Sequence, residues 1–152
     1  MAEFRNIDEI KAYILARSHT ATAIAAGKAY DIIHDVLEKY YGFEPDYYIR
    51  TERLLRSLVH PVVESTGNGW IAKVYFDTSG LDYPQGQVPL KGGGYGYATW
   101  DGETVLNAAM LGAKTKTWRN PTKIWTESKP ILDAEVLTIL KRELNNAGIS
   151  VI

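Results

Sequence analysis

Apolar side chains first recur along this chain with the period of a helix. Ile7, Ile10, Tyr13 and Ile14 share one helical face, and Asn6 is placed to cap it with Glu9 completing a capping box. Ser18, His19, Thr20 and Thr22 then lower helix propensity, so the pattern predicts a break and two helices. In the second, Ala26, Tyr30, Ile33, Leu37 and Tyr40 alternate spacings of four and three, and Gly42 is expected at the left-handed position that ends it. This seam lasts too few heptads for a coiled coil, which leaves the domain's own sheet as its packing surface.

Pro45 interrupts the pattern, and Thr51 is placed to cap a short turn through Glu52, Arg53, Leu54 and Leu55. A β-hairpin follows. Residues 58–64 are rich in β-branched side chains, 65–69 carry turn chemistry, and Trp70, Ala72, Val74 and Phe76 alternate onto one side of 70–76. Pro61 cannot donate a ladder hydrogen bond, so the first strand belongs at an edge or a bulge.

Periodicity is then lost. Eight of the 13 glycines, with Pro84 and Pro89, fall within residues 80–112, and 77–100 reads as a long loop that a partner orders. Asp101 is the expected cap of a short helix with Val105, Leu106, Ala109 and Met110 inward and Gly112 at its end. Ser128 and Pro130 mark the expected start of the last helix. Its stripe is Leu132, Val136, Ile139, Leu140 and Leu144, Gly148 is its stop, and Ile149 and Val151 are candidates for a terminal strand. The sum is an α+β fold in a single domain, 1–152: N-terminal helices and a C-terminal helix packed on a small antiparallel β-sheet, with a long Gly-rich loop.

Composition narrows the function. With 152 residues, 45% of them hydrophobic, the chain can bury a core without disulfides or a structural metal. It has no cysteine, which excludes thiol catalysis, iron–sulfur clusters and Cys-based zinc sites. Seventeen basic against 18 acidic side chains argue against nucleic-acid binding driven by global charge. Neither a membrane-spanning run nor a signal peptide is recognisable, so the protein is expected to stay in the compartment where it is made.

Candidate chemistry is sparse. His19, His34 and His60 lack ligand spacing, so no metal and no cofactor is expected, and His34 reads as a partly exposed surface histidine. Glu44 with Asp46, and Asp77 with Asp82, are the carboxylate pairs on loops, but nothing nearby predicts a shifted pKa. No serine sits in a nucleophile elbow, and the glycines at 92–94 lack the phosphate-loop pattern. An enzyme is therefore not expected.

Aromatic and basic residues are more suggestive. Lys114, Lys116, Arg119, Lys123 and Lys129 face the single acid Glu127 in residues 114–129, with Trp118 and Trp125 among them. Tyr83, Tyr95, Tyr97 and Trp100 precede them, and Trp125 is assigned to the core. Such residues anchor protein interfaces or stack on bases, and a net charge of -1 favours the interface, with Tyr83, Tyr95, Tyr97, Trp100, Trp118, Arg119 and Lys123 as its candidates.

Residues 43–57 read F-x-P-x-x-Y-x-R-T-x-x-L-x-x-S, with Phe43, Pro45, Tyr48, Arg50, Thr51, Leu54 and Ser57 at the fixed positions. This resembles a signature of the head-tail joining or tail completion proteins of tailed bacteriophages, with Phe43 where the pattern has Tyr. The opening Phe4-Arg5-Asn6-Ile7, the ending Leu144-Asn145-Asn146-Ala147-Gly148-Ile149 and the order of elements also look like that family. The resemblance implies a non-catalytic structural subunit of the phage neck, present in the virion and in the host cytoplasm during assembly. It would form a homo-oligomeric ring, meet other neck and tail proteins and contact genomic DNA in the channel, with no membrane involved. Pro45, Tyr48, Arg50, Thr51 and Leu54 would form a structural turn. The alternative is a small nucleic-acid-binding module using residues 114–129.

Overall fold

The computed structural model describes residues 4–42, 52–82, 88–89, 92–96, 100–111 and 124–151. The architecture is mixed α+β and mostly helical. Helix α1 spans Ile7–Tyr41, α2 Arg53–Ser57, α3 Gly102–Leu111 and α4 Ile124–Asn146. The strands are β1 (Leu58–Val59), β2 (Val63–Ser65), β3 (Trp70–Ala72), β4 (Tyr75–Phe76), β5 (Val88–Pro89) and β6 (Tyr95–Gly96), with a 3-10 turn at Thr78–Gly80. They pair as three antiparallel two-stranded ladders, β1 with β4, β2 with β3 and β5 with β6. The chain divides into two compact units, Met1–Tyr30 with His60–Val74 and Ile131–Ile152, and Asp31–Val59 with Tyr75–Pro130.

The N-terminal pattern is one helix, not two. Asn6 Oδ1 accepts from Glu9 N at 2.9 Å, and Glu9 reaches back to Arg5 N at 2.8 Å, one residue beyond the box that the sequence predicts. The expected break is absent: the helix runs on through it, its hydroxyls bonded back along the helix, Ser18 Oγ donating to Leu15 O and Thr22 Oγ1 to Ser18 O, and Ala21 buried between them. Gly42 donates to Glu38 O at 3.0 Å without entering the left-handed region, so its expected role is also corrected.

In the first unit, α4 runs antiparallel to α1. Lys28 Nζ lies 3.5 Å from Glu135 Oε2, Arg17 donates to Ala147 O, and Gly148 lies against Tyr13. The hairpin meets α1 through Trp70, whose Nε1 donates to Leu15 O at 2.6 Å while His19 packs edge-on 4.7 Å from its ring. His60 stacks on Tyr30 at 4.1 Å. Gly148 closes α4 as expected: at φ 81 it donates to Asn145 O, and Ile149 donates to Leu144 O. That pair of bonds is a Schellman cap, which favours glycine because a Cβ crowds the left-handed backbone. Residues 149–151 form no strand, and Val151 N donates instead to Asn145 Oδ1.

The second unit holds Ile32, Ile33, Val36 and Leu37 of α1, Leu54 and Ser57 of α2, Leu58 of β1, Leu81 next to the 3-10 turn, Val105 and Ala109 of α3, and Ile124 and Ser128 of α4, all buried. Helix α4 begins six residues before Pro130 rather than at it. Ile124 and Ser128, one turn apart, are both buried, and Ser128 Oγ bonds back to Ile124 O, so packing secures a first turn that proline would otherwise discourage. With Ile124 inward, the next residue points elsewhere on the helix: Trp125 is 59% exposed, and its assignment to the core is corrected.

The hairpin pairs Leu58 with Phe76 and Val59 with Tyr75, then Val63 with Ala72, Glu64 with Ile71 and Ser65 with Trp70. Residues 60–62 interrupt one arm and 73–74 the other, so the register shifts by one where Pro61 lies, as its missing donor predicts. Within the stretch read as a long loop, the Thr78–Gly80 turn and the β5–β6 pair are formed.

Asp101 caps α3 as expected, its Oδ1 accepting from Thr104 N at 2.7 Å. The hydrogen bonds from the Thr104 backbone and side chain hold the Asp101 carboxyl below its ordinary value of 3.8. A carboxyl with a depressed folded-state pKa stabilises the fold above the unfolded value and loses that contribution as pH falls through the folded one. Thermal melts from neutral pH to below 3.8 should therefore show a loss that Asp101→Asn, which caps without titrating, partly removes. An identical acid profile in the variant would rule out this role.

Candidate functional site

An open cleft of about 250 Å³ lies in the second unit, lined by α2, β1 and the 3-10 turn. Arg53 and Arg56 lie three residues apart on α2, so both heads can reach one side, while Leu54 and Ser57, offset from them, turn inward. Glu52 sets the direction of this short helix from a left-handed backbone, φ 57 and ψ 7, that a side chain rarely adopts. Its carboxylate holds Arg56 Nη2 at 3.1 Å, an exposed pair of small energetic weight, and Arg53 Nη1 donates to Asp82 O at 3.0 Å. Val59, Asp77, Ser79 and Gly80 complete the lining.

The acids here are structural caps. Asp77 N extends the β1–β4 ladder by donating to Ser57 O at 2.7 Å, and Asp77 Oδ1 accepts from Ser79 N at 3.0 Å. The Ser79 side chain first, then its backbone, hold the Asp77 carboxyl below its ordinary value. That is the wrong direction for a general acid, which needs its pKa raised toward neutrality. Asp82 Oδ1 accepts from Gly102 N at 2.6 Å. The cleft can therefore bind charged groups through its guanidiniums, while Asp77 and Asp82 serve the fold.

Of the predicted turn, Leu54 is buried as a core contact. Helix α2 starts at Arg53 with Glu52 in the capping position, and Pro45, Tyr48, Arg50 and Thr51 lie outside the described residues. Among the interface candidates Trp100 is half-buried and Tyr95 falls in β6, while Tyr83, Tyr97, Trp118, Arg119 and Lys123 lie outside the described residues. His34, Asp35 and Glu38 bring ligand atoms within 4.8 Å of one another on a single helix, with both acids exposed. The sequence names Asp82 only as half of a loop carboxylate pair and gives no sign of its bond to Gly102, because a close approach between distant segments leaves no local pattern.

Comparison with protein-family models, with curated proteins and with solved structures finds no match. No helix among the described residues is long and apolar enough to cross a membrane.

Proposed function

We propose that this chain is a structural subunit of a tailed-phage neck, assembling as a ring that joins the head connector to the tail. The observation that carries the reading is the signature over residues 43–57 together with the placement of its described part. Leu54 and Ser57 are 8% and 7% exposed, and Ser57 Oγ donates to Leu54 O at 2.7 Å. Fixed positions that are buried make a folding unit, which suits a subunit whose work is to hold shape. The resemblance implies N-terminal helices, the turn, a β-hairpin, a long variable loop and a C-terminal helix, and the sequence of one long helix, α2, a hairpin and the C-terminal α4 is compatible with that order. Its partners would be its own copies, other neck and tail proteins, and genomic DNA in the channel, and its place would be the virion neck.

Immunogold electron microscopy of purified particles, paired with light scattering of the free protein, tests this directly. Label at the neck is the expected result, and absence of the protein from particles would remove the proposal. The rival reading, a nucleic-acid-binding module, draws on Trp125, exposed within the 114–129 stretch, where it can stack on a base. Titration with labelled DNA at several salt concentrations separates the two, because a phosphate-driven binder loses affinity steeply with salt.

A further inference from the structure

Two residue pairs in this chain place a glycine nitrogen next to a side-chain carbonyl carbon that it can attack, and the fold treats them oppositely. The first is Asn68–Gly69, in which Asn68 is the one asparagine of the chain that glycine follows; the second is Asp101–Gly102. In the second the reacting atoms are tied down. Gly102 is buried and its N–H is donated to Asp82 Oδ1 at 2.6 Å, while Asp101 Oδ1 accepts from Thr104 N at 2.7 Å. The first sits at the tip of the β2–β3 hairpin, just before the Ser65–Trp70 rung, with Asn68 exposed. Gly67, at φ 84, reverses the chain there, and Thr66 N donates to Gly69 O at 3.0 Å. Among the described residues neither the Asn68 side-chain amide nor the Gly69 N–H has a hydrogen-bond partner. Gly69 carries no Cβ to screen the approach to its nitrogen.

We infer that Asn68 is a site of spontaneous deamidation, with Gly69 N as the nucleophile. The Gly69 nitrogen bonds to Asn68 Cγ and closes a five-membered imide, and Asn68 Nδ2 leaves as ammonia, taking with it the proton from Gly69 N. Water then opens the ring. Attack at Cγ breaks the new bond and gives aspartate, whereas attack at the Asn68 backbone carbonyl carbon breaks the original peptide bond and gives isoaspartate, with the chain running through Cγ. Overall the chain loses ammonia and gains water, a rise of about 1 Da, and nothing is oxidised or reduced. Either product puts a new negative charge on the hairpin tip, two strand residues away from the Lys73–Glu64 pair. Isoaspartate also adds a backbone atom between Thr66 and Gly69, so the 3.0 Å bond that joins them no longer fits the turn. The inference stands apart from the neck reading and is tested without phage particles.

Trypsin divides the full chain so that residues 57–73 hold Asn68 as their one asparagine and residues 92–114 hold Asn107 as theirs. Asn107 is an exposed asparagine too, but it lies within α3 and precedes alanine, which makes it an internal control. After incubation of the intact folded protein in warm, mildly alkaline buffer, mass spectrometry should show the Asn68 peptide gaining mass at least about tenfold faster than the Asn107 peptide. Isoaspartate should be among its products, read by electron-based fragmentation. Gly69→Ala should slow the gain at least about fivefold, because a methyl group then crowds the attacking nitrogen. Its Cβ would meet only Thr66 Oγ1, at 3.9 Å, so the turn accepts it, and circular dichroism verifies the fold. Equal rates for the two peptides would overturn the inference. So would aspartate as the sole product, which marks direct hydrolysis without the imide, or a rate that Gly69→Ala leaves unchanged.

Discussion

Gly102→Ala is expected to destabilise the protein by about 3 kcal/mol or more, lowering its melting temperature by roughly 10 °C. A Cβ at this position would lie 1.8 Å from the Thr78 carbonyl oxygen and 2.8 Å from its carbon. Both are backbone atoms of the 3-10 turn, so no rotamer change relieves the overlap. The backbone N–H of the same residue is bonded to Asp82 Oδ1 at 2.6 Å, so a shift of α3 that made room would also break this bond. Val105 and Ala109, at 3% and 2% exposure, would lose their packing in the same movement. Gly80→Ala is the matched control, because its Cβ would meet nothing within 4 Å. Thermal denaturation of both variants decides the matter, and equal melting temperatures would show that α3 can move freely.

What could be read from the sequence was mostly local. Asn6 and Glu9, Asp101 and Gly148 each form caps at the helix ends where a side-chain oxygen or a free φ is needed. Pro61 marked the interruption of the hairpin, and the alternation from Trp70 to Phe76 matches the half-buried and exposed positions of that strand. The failures have tertiary causes. Ser18 and Thr22 look like helix breakers, yet the helix is packed there by buried Ala21 and by Trp70 against Leu15 and His19, and Pro130 looks like a start until Ile124 and Ser128 bury the preceding turn. Ile7, Ile10 and Ile14 share a helical face by their spacing, yet whether such a face is covered depends on distant parts of the chain, and all three are exposed. The candidate site shows the same division. Leu54 was legible as part of a short structural turn, while the cleft beside it depends on the left-handed Glu52 and on the turn carrying Asp77 and Ser79, which no spacing joins.

Leu37→Ala should destabilise the protein by about 2 to 5 kcal/mol, whereas Leu137→Ala should change stability by less than about 0.5 kcal/mol. Both residues are leucines within long helices, where alanine is the slightly better helix former, so propensity cannot separate them. Burial does. Leu37 is fully enclosed at 0% exposure, beside Ile33 and Val36 on the buried stripe of α1, while Leu137 on α4 is 57% exposed. Truncating Leu37 removes buried methyl groups and leaves a void that its close-packed neighbours fill only in part. Truncating Leu137 returns to water surface that was largely there already. Urea denaturation followed by circular dichroism measures both, with a clear fall in midpoint expected for Leu37→Ala alone. Equal midpoints would mean that Leu37 does not anchor the core of its unit. A large loss at Leu137 would instead reveal that α4 is covered there in solution, by a second copy or by another part of the chain.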